Sequence, residues 1–275
     1  MTNQTLTAIT RTDAENLPDA LQKMPELKQL FKGKKPAVFL DYDGCLTPIV
    51  KNPEDAILSA DMKQALQQLA DVCTVAVVSG RDRANVANLV NLDNLYFAGS
   101  HGFDITGPNN LQTEPGGAAA ALPALDKAEK TLTENLKHIK GSLVERKKYA
   151  IAVHYRNVAE NQVAELTQLV EETIAQHPEL KKGLGKKIIE LKPNLDWHKG
   201  KAVLWLLKEL NLDNADIVPV YIGDDITDED AFASLQNQGL TILVGQHDDQ
   251  TAAHYRLENV DAVQEFLTEL KRVAN

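Results

Sequence analysis

Ala37-Val38-Phe39-Leu40-Asp41-Tyr42-Asp43-Gly44-Cys45-Leu46-Thr47-Pro48 is the stretch on which the fold turns. Four apolar residues, too few for a helix, run into two acids at alternate positions and then a glycine. This pattern reads as a buried parallel strand ending in a loop. Side chains two apart on an extended chain point the same way, so Asp41 and Asp43 are expected to project together from the strand's carboxyl end. Ligands of open α/β sheets bind along that edge. Two carboxylates aimed at one spot repel unless a proton or a cation lies between them. A plain acidic turn after a strand is the competing reading.

A second acidic group follows a second apolar run. Val218-Pro219-Val220-Tyr221-Ile222-Gly223 leads into Asp224-Asp225-Ile226-Thr227-Asp228-Glu229-Asp230. Carboxylates again crowd the end of a predicted buried strand. A few hard oxygen ligands with water completing the shell suit Mg²⁺. An EF-hand loop is excluded, because its sixth-position glycine is missing after both Asp41 and Asp224.

Outward from these two strands the chain alternates. Ser59 reads as the cap of a helix carrying Met62, Leu66 and Leu69. Thr74–Val78 is a strand ending in Ser79-Gly80-Arg81, a helix through Val86 and Leu89 follows, and Leu95–Ala98 is another strand. Alternation of this kind predicts an α/β fold with a doubly wound, Rossmann-like parallel sheet. The rhythm breaks near Thr106, and Glu114-Pro115-Gly116-Gly117 reads as a linker. Beyond it a helix over 119–139, strands over 142–147 and 149–155, a helix through Val163, Leu166, Val170 and Ile174, and a strand over 186–192 predict an inserted α+β domain. A helix over 200–210, the strand at Val218, a helix capped by Thr227, a strand over 240–244 and an amphipathic helix over 260–273 complete the core. The expected divisions are an N-terminal extension over 1–35, a core over 36–115 and 196–275, and the insert over 116–195.

Composition narrows the function. The 275 residues, 43% hydrophobic and 25% charged, suffice for a sizeable core. A net charge of −10 argues against a nucleic-acid surface. Residues 116–195 carry 13 Lys and Arg against 10 Asp and Glu, a net of +3, which leaves −13 for the remainder. An insert of this sign beside an acidic core would favour an anionic ligand, although much of the count, from Lys127 to Lys140, reads as the solvated face of a helix. Cys45 and Cys73 have no metal-type spacing and suit a reducing compartment. With no long apolar run and no leader pattern, a cytoplasmic chain without membrane partners is expected.

In the insert, Glu145 and Lys147 share one face of their strand, and Ala152, His154 and Arg156 share one face of the next. Val144, Ile151, Val153 and Tyr155 fall on the opposite, apolar side, and Lys186, Ile188, Glu190 and Lys192 alternate in the third strand. One sheet face is therefore apolar and the other bears carboxylates, amines and an imidazole. Such a face is most often just solvated, and ligand recognition is its less common use.

Taken together, Asp41-x-Asp43-Gly44-x-Leu46-Thr47, Ser79, Lys199 and Gly223-Asp224-Asp225-x-x-Asp228 resemble the four ordered motifs of the haloacid dehalogenase-like phosphatases. Val78-Ser79-Gly80-Arg81, Gly99-Ser100-His101-Gly102, Glu145-x-Lys147, His154-Tyr155-Arg156 and Lys199-Gly200 make the set similar to trehalose-6-phosphate phosphatases, from about Pro36 to the end. The resemblance implies that the insert is a cap domain and that Mg²⁺ is the cofactor. It implies Asp41 as nucleophile and metal ligand, and Asp43 as general acid and base with its backbone carbonyl also binding metal. Asp224 is implied as a direct ligand, with Asp225 and Asp228 acting behind it or through water. Lys199 would hold Asp41 and the phosphoryl oxygens, Ser79 would donate to the phosphoryl group, Gly80 and Arg81 would bind substrate, and His101 would border the site. Sugar recognition would fall to Glu145, Lys147, His154, Arg156, Lys186, Glu190 and Asn194. A monomer acting on trehalose 6-phosphate is expected. The rivals are a phosphatase of sucrose or mannosyl-glycerate phosphate, a phosphomutase, and a non-catalytic subunit that binds trehalose phosphate.

Overall fold

The computed structural model describes residues 9–185, 187–246 and 249–274. Contacts divide the chain into two compact units: the residues up to Gln112 together with those from His198 onward, and Thr113–Trp197. The expected insert, 116–195, lies inside the second unit.

The first unit is built on β1 (Lys35–Leu40), β2 (Thr74–Val78), β3 (Tyr96–Gly99), β4 (Asp104–Gly107) and β5 (Leu111–Thr113), with β10 (Ile217–Gly223), β11 (Leu240–Val244) and β12 (Tyr255–Leu257) from the later chain. Their order across the sheet is β12-β11-β10-β1-β2-β3-β4-β5. From β12 to β3 every pairing is parallel, and β4 turns back antiparallel on β3. The sequence predicts a break at Thr106; instead β4 and β5 extend the sheet at its edge. These short runs contain a glycine and several polar residues and so resemble turn sequence, although Asp104 and Ile105 are both buried.

Ala37, Val38, Phe39 and Leu40 have no exposed surface, as a central strand covered on both faces requires. Val38 and Leu40 pack with α1 (Met24–Leu30), α2 (Ala60–Ala70), α3 (Arg83–Val90) and α8 (Val260–Ala274). Ala37 and Phe39 point the other way, toward Val203 and Leu206 of α6 (Lys199–Glu209) and Phe232 of α7 (Glu229–Leu235). The described part of the N-terminal extension belongs to this unit: Ala20, Met24, Leu27 and Phe31 are buried in its core, and Thr12–Asp13 pairs antiparallel with Gln250–Thr251.

The second unit holds α4 (Leu122–Leu136), β6 (Leu143–Lys147), β7 (Ala150–His154), α5 (Glu160–Ala175), β8 (Leu180–Gly185) and β9 (Ile188–Pro193). Its sheet runs β6-β7-β9-β8 with antiparallel neighbours. The strand β8 is absent from the sequence reading, because Leu-Lys-Lys-Gly-Leu-Gly has two glycines and little β propensity. Its pairing with β9 supplies what its composition lacks. Ile151, Val153, Ile189 and Leu191 close a separate core against Leu125, Leu132, Leu166 and Val170 of α4 and α5.

Candidate active site

Strands β1 and β10 are neighbours in register, with Leu40 opposite Ile222, so their carboxyl ends deliver Asp41 and Asp224 to one place. The Asp41 backbone N–H donates to the Ile222 carbonyl at 2.9 Å, carrying the pairing one residue past β1. Carboxylate oxygens of Asp41, Asp224 and Asp228 lie within 4.8 Å of one another.

Lys199 supplies the counter-charge. It is the first residue of α6, and its Nζ lies 2.9 Å from Asp41 Oδ2 and 2.8 Å from Asp228 Oδ1. The following Gly200 is what lets the helix come this close: a Cβ there would fall 2.3 Å from the Asp230 carbonyl oxygen. Lys199 is 2% exposed, Asp41 6% and Asp228 0%, so this is a buried charge network. Burial pulls the Lys199 pKa down, but Asp228 and Asp41 together hold it above its ordinary value.

Asp228 has both oxygens fully engaged. Oδ1 accepts from Lys199 and, at 2.6 Å, from the Tyr221 hydroxyl. Oδ2 accepts from the backbone N–H groups of Asp224 and Asp225, at 3.1 and 3.0 Å. Asp228 thus fixes the loop that presents Asp224 and the amine that neutralises Asp41. Asp225 is exposed and its side chain accepts from the Ile226 N–H, closing a capping box with Asp228. The cap of this turn is therefore Asp225, whereas the sequence reading gives Thr227; a short 3₁₀ turn over Ile226–Asp228 precedes α7 and shifts the helix start.

Of the three clustered carboxylates, Asp41 and Asp224 have fewer hydrogen-bond partners than Asp228, so a cation would fall to them. Burial first, and then Asp228, push Asp41 up to about 7 against the pull of Lys199. Burial, Asp41 and Asp228 push Asp224 up to about 8. An arrangement that raises two acids this far is one that a divalent cation would relieve. The donor set is oxygen only, which fits Mg²⁺. Gly44, at φ +78°, is essential to the packing: a Cβ would lie 1.9 Å from Asp224 Oδ2.

Asp43 does not join this group. β1 ends at Leu40, and a turn closed by Gly44 N–H to the Thr47 carbonyl carries Asp43 away from the extended path assumed from sequence. Its carboxylate meets Arg81, with Nε 2.7 Å from Oδ2 and Nη2 2.7 Å from Oδ1. Tyr42, buried between the two acids, donates its hydroxyl to the Ala56 carbonyl and is structural.

Ser79 is buried at the end of β2, where its hydroxyl accepts from the Arg81 N–H at 3.1 Å. Gly80 lies against the His101 ring. Ser100 and His101 both adopt left-handed backbone, φ 50° and 59°, held by N–H bonds to the Arg81 and Ser79 carbonyls.

In the second unit, Glu145, Lys147, His154 and Glu190 share one sheet face. His154 Nε2 lies 2.7 Å from Glu145 Oε2, and Lys147 Nζ lies 3.4 Å from Glu190 Oε1. The imidazole contact, offset by burial, lowers the Glu145 pKa. Arg156 sits beyond the end of β7 and is exposed. Asn194 donates its amide to the Pro178 carbonyl, serving the chain reversal after β9. Lys186 lies outside the described residues. Two functional contacts escape the sequence reading: Tyr221 on Asp228 and Arg81 on Asp43. Only the first has a signal, a tyrosine hydroxyl that must find a partner inside an otherwise apolar run.

A profile of the trehalose-phosphatases matches residues 39–261, spanning both acidic motifs. The chain belongs to the trehalose-phosphatase family. It is 43% identical over 260 residues to a probable trehalose-phosphate phosphatase 4 of Oryza sativa subsp. japonica, covering 92% of this chain and 70% of that protein. It is 44% identical over 262 residues to an uncharacterised glycosyl hydrolase of Mycobacterium tuberculosis, covering 92% of this chain but only 20% of that much longer protein. A solved structure of the C. albicans trehalose-6-phosphate phosphatase C-terminal domain superposes with a TM-score of 0.78 at 25% identity, covering 93% of this chain and 98% of that one. The α/β fold with its inserted α+β unit is shared with a solved haloacid dehalogenase-like hydrolase from Bacteroides thetaiotaomicron, at a TM-score of 0.59 and 15% identity, covering 85% of this chain and 98% of that one. No helix among the described residues is long and apolar enough to cross a membrane.

Proposed function

We propose that this trehalose-phosphatase family member is a Mg²⁺-dependent phosphatase that hydrolyses trehalose 6-phosphate to trehalose and phosphate through an aspartyl-phosphate on Asp41. The observation that carries the reading is Lys199 bridging Asp41 and Asp228 beside Asp224, at the ends of two adjacent parallel strands. Non-catalytic binding would not need a buried lysine holding a carboxylate in the orientation of a nucleophile. The relative from Oryza sativa supports the substrate class.

Phosphate-monoester hydrolysis is among the slowest uncatalysed reactions, with accelerations up to ~10²¹. Proton transfer contributes only about 10²–10⁴, so positioning and charge stabilisation must supply most of the effect. The cation expected at Asp41, Asp224 and the Asp43 backbone carbonyl would supply charge neutralisation at the phosphoryl oxygens. Asp41 Oδ attacks phosphorus as the bond from phosphorus to the sugar oxygen breaks, and Asp43 gives its proton to that oxygen. Asp43 then takes a proton from water as the water attacks phosphorus, and the Asp41–phosphorus bond breaks to free Asp41. Lys199 holds Asp41 in place, and the Ser79 hydroxyl donates to the phosphoryl group. The sugar would meet Glu145, Lys147, His154 and Glu190, with Arg156, Lys186 and Asn194 as outer contacts, and the protein would act as a cytoplasmic monomer.

Phosphate release from a panel of sugar phosphates, with and without EDTA, tests this. Trehalose 6-phosphate should be preferred and EDTA should stop release. Equal rates on sucrose or mannosyl-glycerate phosphates would overturn the substrate. An active Asp41→Asn variant would overturn the covalent route.

A further inference from the structure

We propose that Arg81 is a positioning residue for Asp43, orienting its carboxylate for proton transfer, and is not an anchor for the substrate's phosphoryl group. The inference rests on the acid–base role proposed above for Asp43. Its basis is how the guanidinium is used. Nε–H and one Nη2–H grip the two Asp43 oxygens at 2.7 Å each, a parallel fork that fixes the plane of the carboxylate. The other Nη2–H reaches the Pro53 carbonyl at 2.9 Å, and Nη1 donates to Asn85 Oδ1 at 3.1 Å. A single Nη1 hydrogen is left of the guanidinium's donors. An arginine meant to clamp a phosphate would keep its fork free.

Exposure points the same way. The Arg81 side chain is 10% exposed and stacks over the Tyr42 ring at 5.2 Å, whereas the Asp43 side chain is 40% exposed. A largely enclosed, multiply hydrogen-bonded group thus supports a more accessible one. The fork occupies one lone pair on each Asp43 oxygen and leaves the others open, so an open lone pair can carry the proton that Asp43 gives and takes back while the carboxylate is held. Lysine could replace the charge but would fix no plane. Arg81 is itself set by the backbone: its N–H donates to Ser79 Oγ and its carbonyl accepts from Ser100.

The test compares wild type with Arg81→Lys and Arg81→Ala on trehalose 6-phosphate, with inorganic phosphate as inhibitor. Loss of orientation should lower kcat about tenfold or more in both variants, while KM and the phosphate inhibition constant stay within about threefold of wild type. Added guanidinium ion should restore part of kcat to Arg81→Ala, and methylammonium should not. Should Arg81→Ala fail to fold, Arg81→Lys and Asn85→Ala carry the test, the latter with a smaller fall in kcat and the same unchanged phosphate inhibition. A raised KM with weakened phosphate inhibition would overturn the inference, as would an unaltered kcat in Arg81→Lys. A wild-type enzyme that turns over a different sugar phosphate would refute the substrate reading alone, and the same comparison would then be run on that compound. A wild type inactive on the whole panel with Mg²⁺ would defeat both.

Discussion

At the scale of single residues, the site is a set of polar atoms each given a partner. Asp228 is the clearest case, with two backbone amides, an ammonium and a phenol sharing its oxygens. Replacing Tyr221 with Phe removes one bond to a buried charge, and a loss of about 1.5–3 kcal/mol of stability is expected in urea unfolding. The motif glycine makes a sharper prediction. Gly44→Ala would force a Cβ into the Asp224 carboxylate at a left-handed backbone position. Turnover should fall on the order of a hundredfold, with weakened Mg²⁺ binding in calorimetry and an unchanged circular-dichroism spectrum. Full activity in Gly44→Ala would show that the Asp224 carboxylate need not sit where the structure has it.

At the scale of elements, the tips of β1 and β10 hold two acids whose pKa values stand near 7 and 8, against 3.8 for a free carboxyl. Both are raised, so between about pH 4 and 8 the folded chain binds protons that the unfolded chain has lost. Stability of the metal-free protein should therefore fall as pH rises through that window. A bound dication replaces those protons, so its benefit grows in the opposite sense. The rise in Tm on saturating with Mg²⁺ should be larger at about pH 8.5 than at about pH 5.5. The Asp224→Asn variant should lose most of that difference, and an equal rise at both pH values would count against a cation site at these tips.

At the scale of the whole molecule, the two units have separate apolar cores. Leu132 has no exposed surface and packs only within the second. Leu132→Ala should cost that unit about 2–5 kcal/mol. Calorimetry should show one thermal transition lowered while the transition responding to Mg²⁺ stays put. A single transition shifted as a whole would mean that the units unfold together.

Much of this molecule is readable from its chain. Ala37 to Leu40 and Val220 to Ile222 are apolar without interruption, because a parallel strand covered on both faces leaves no position for a polar side chain, and the acids that follow mark the strand ends. Glu145, Lys147, His154 and Glu190 share a face because strand geometry alternates strictly, so that face is legible too. Other features were settled by contacts between distant parts of the chain. The glycine-rich strand Leu180–Gly185 exists because Ile188–Pro193 offers it hydrogen bonds, and Asp104–Gly107 because an edge was open beside Tyr96–Gly99. Asp43 left the path of Asp41 because a turn intervened, and it met Arg81 because β1 and β2 lie side by side. Local pattern determined which residues could carry charge at the strand tips. Only the packed sheet decided which of those charges face one another, since pairing energies act through space and leave no period in the sequence.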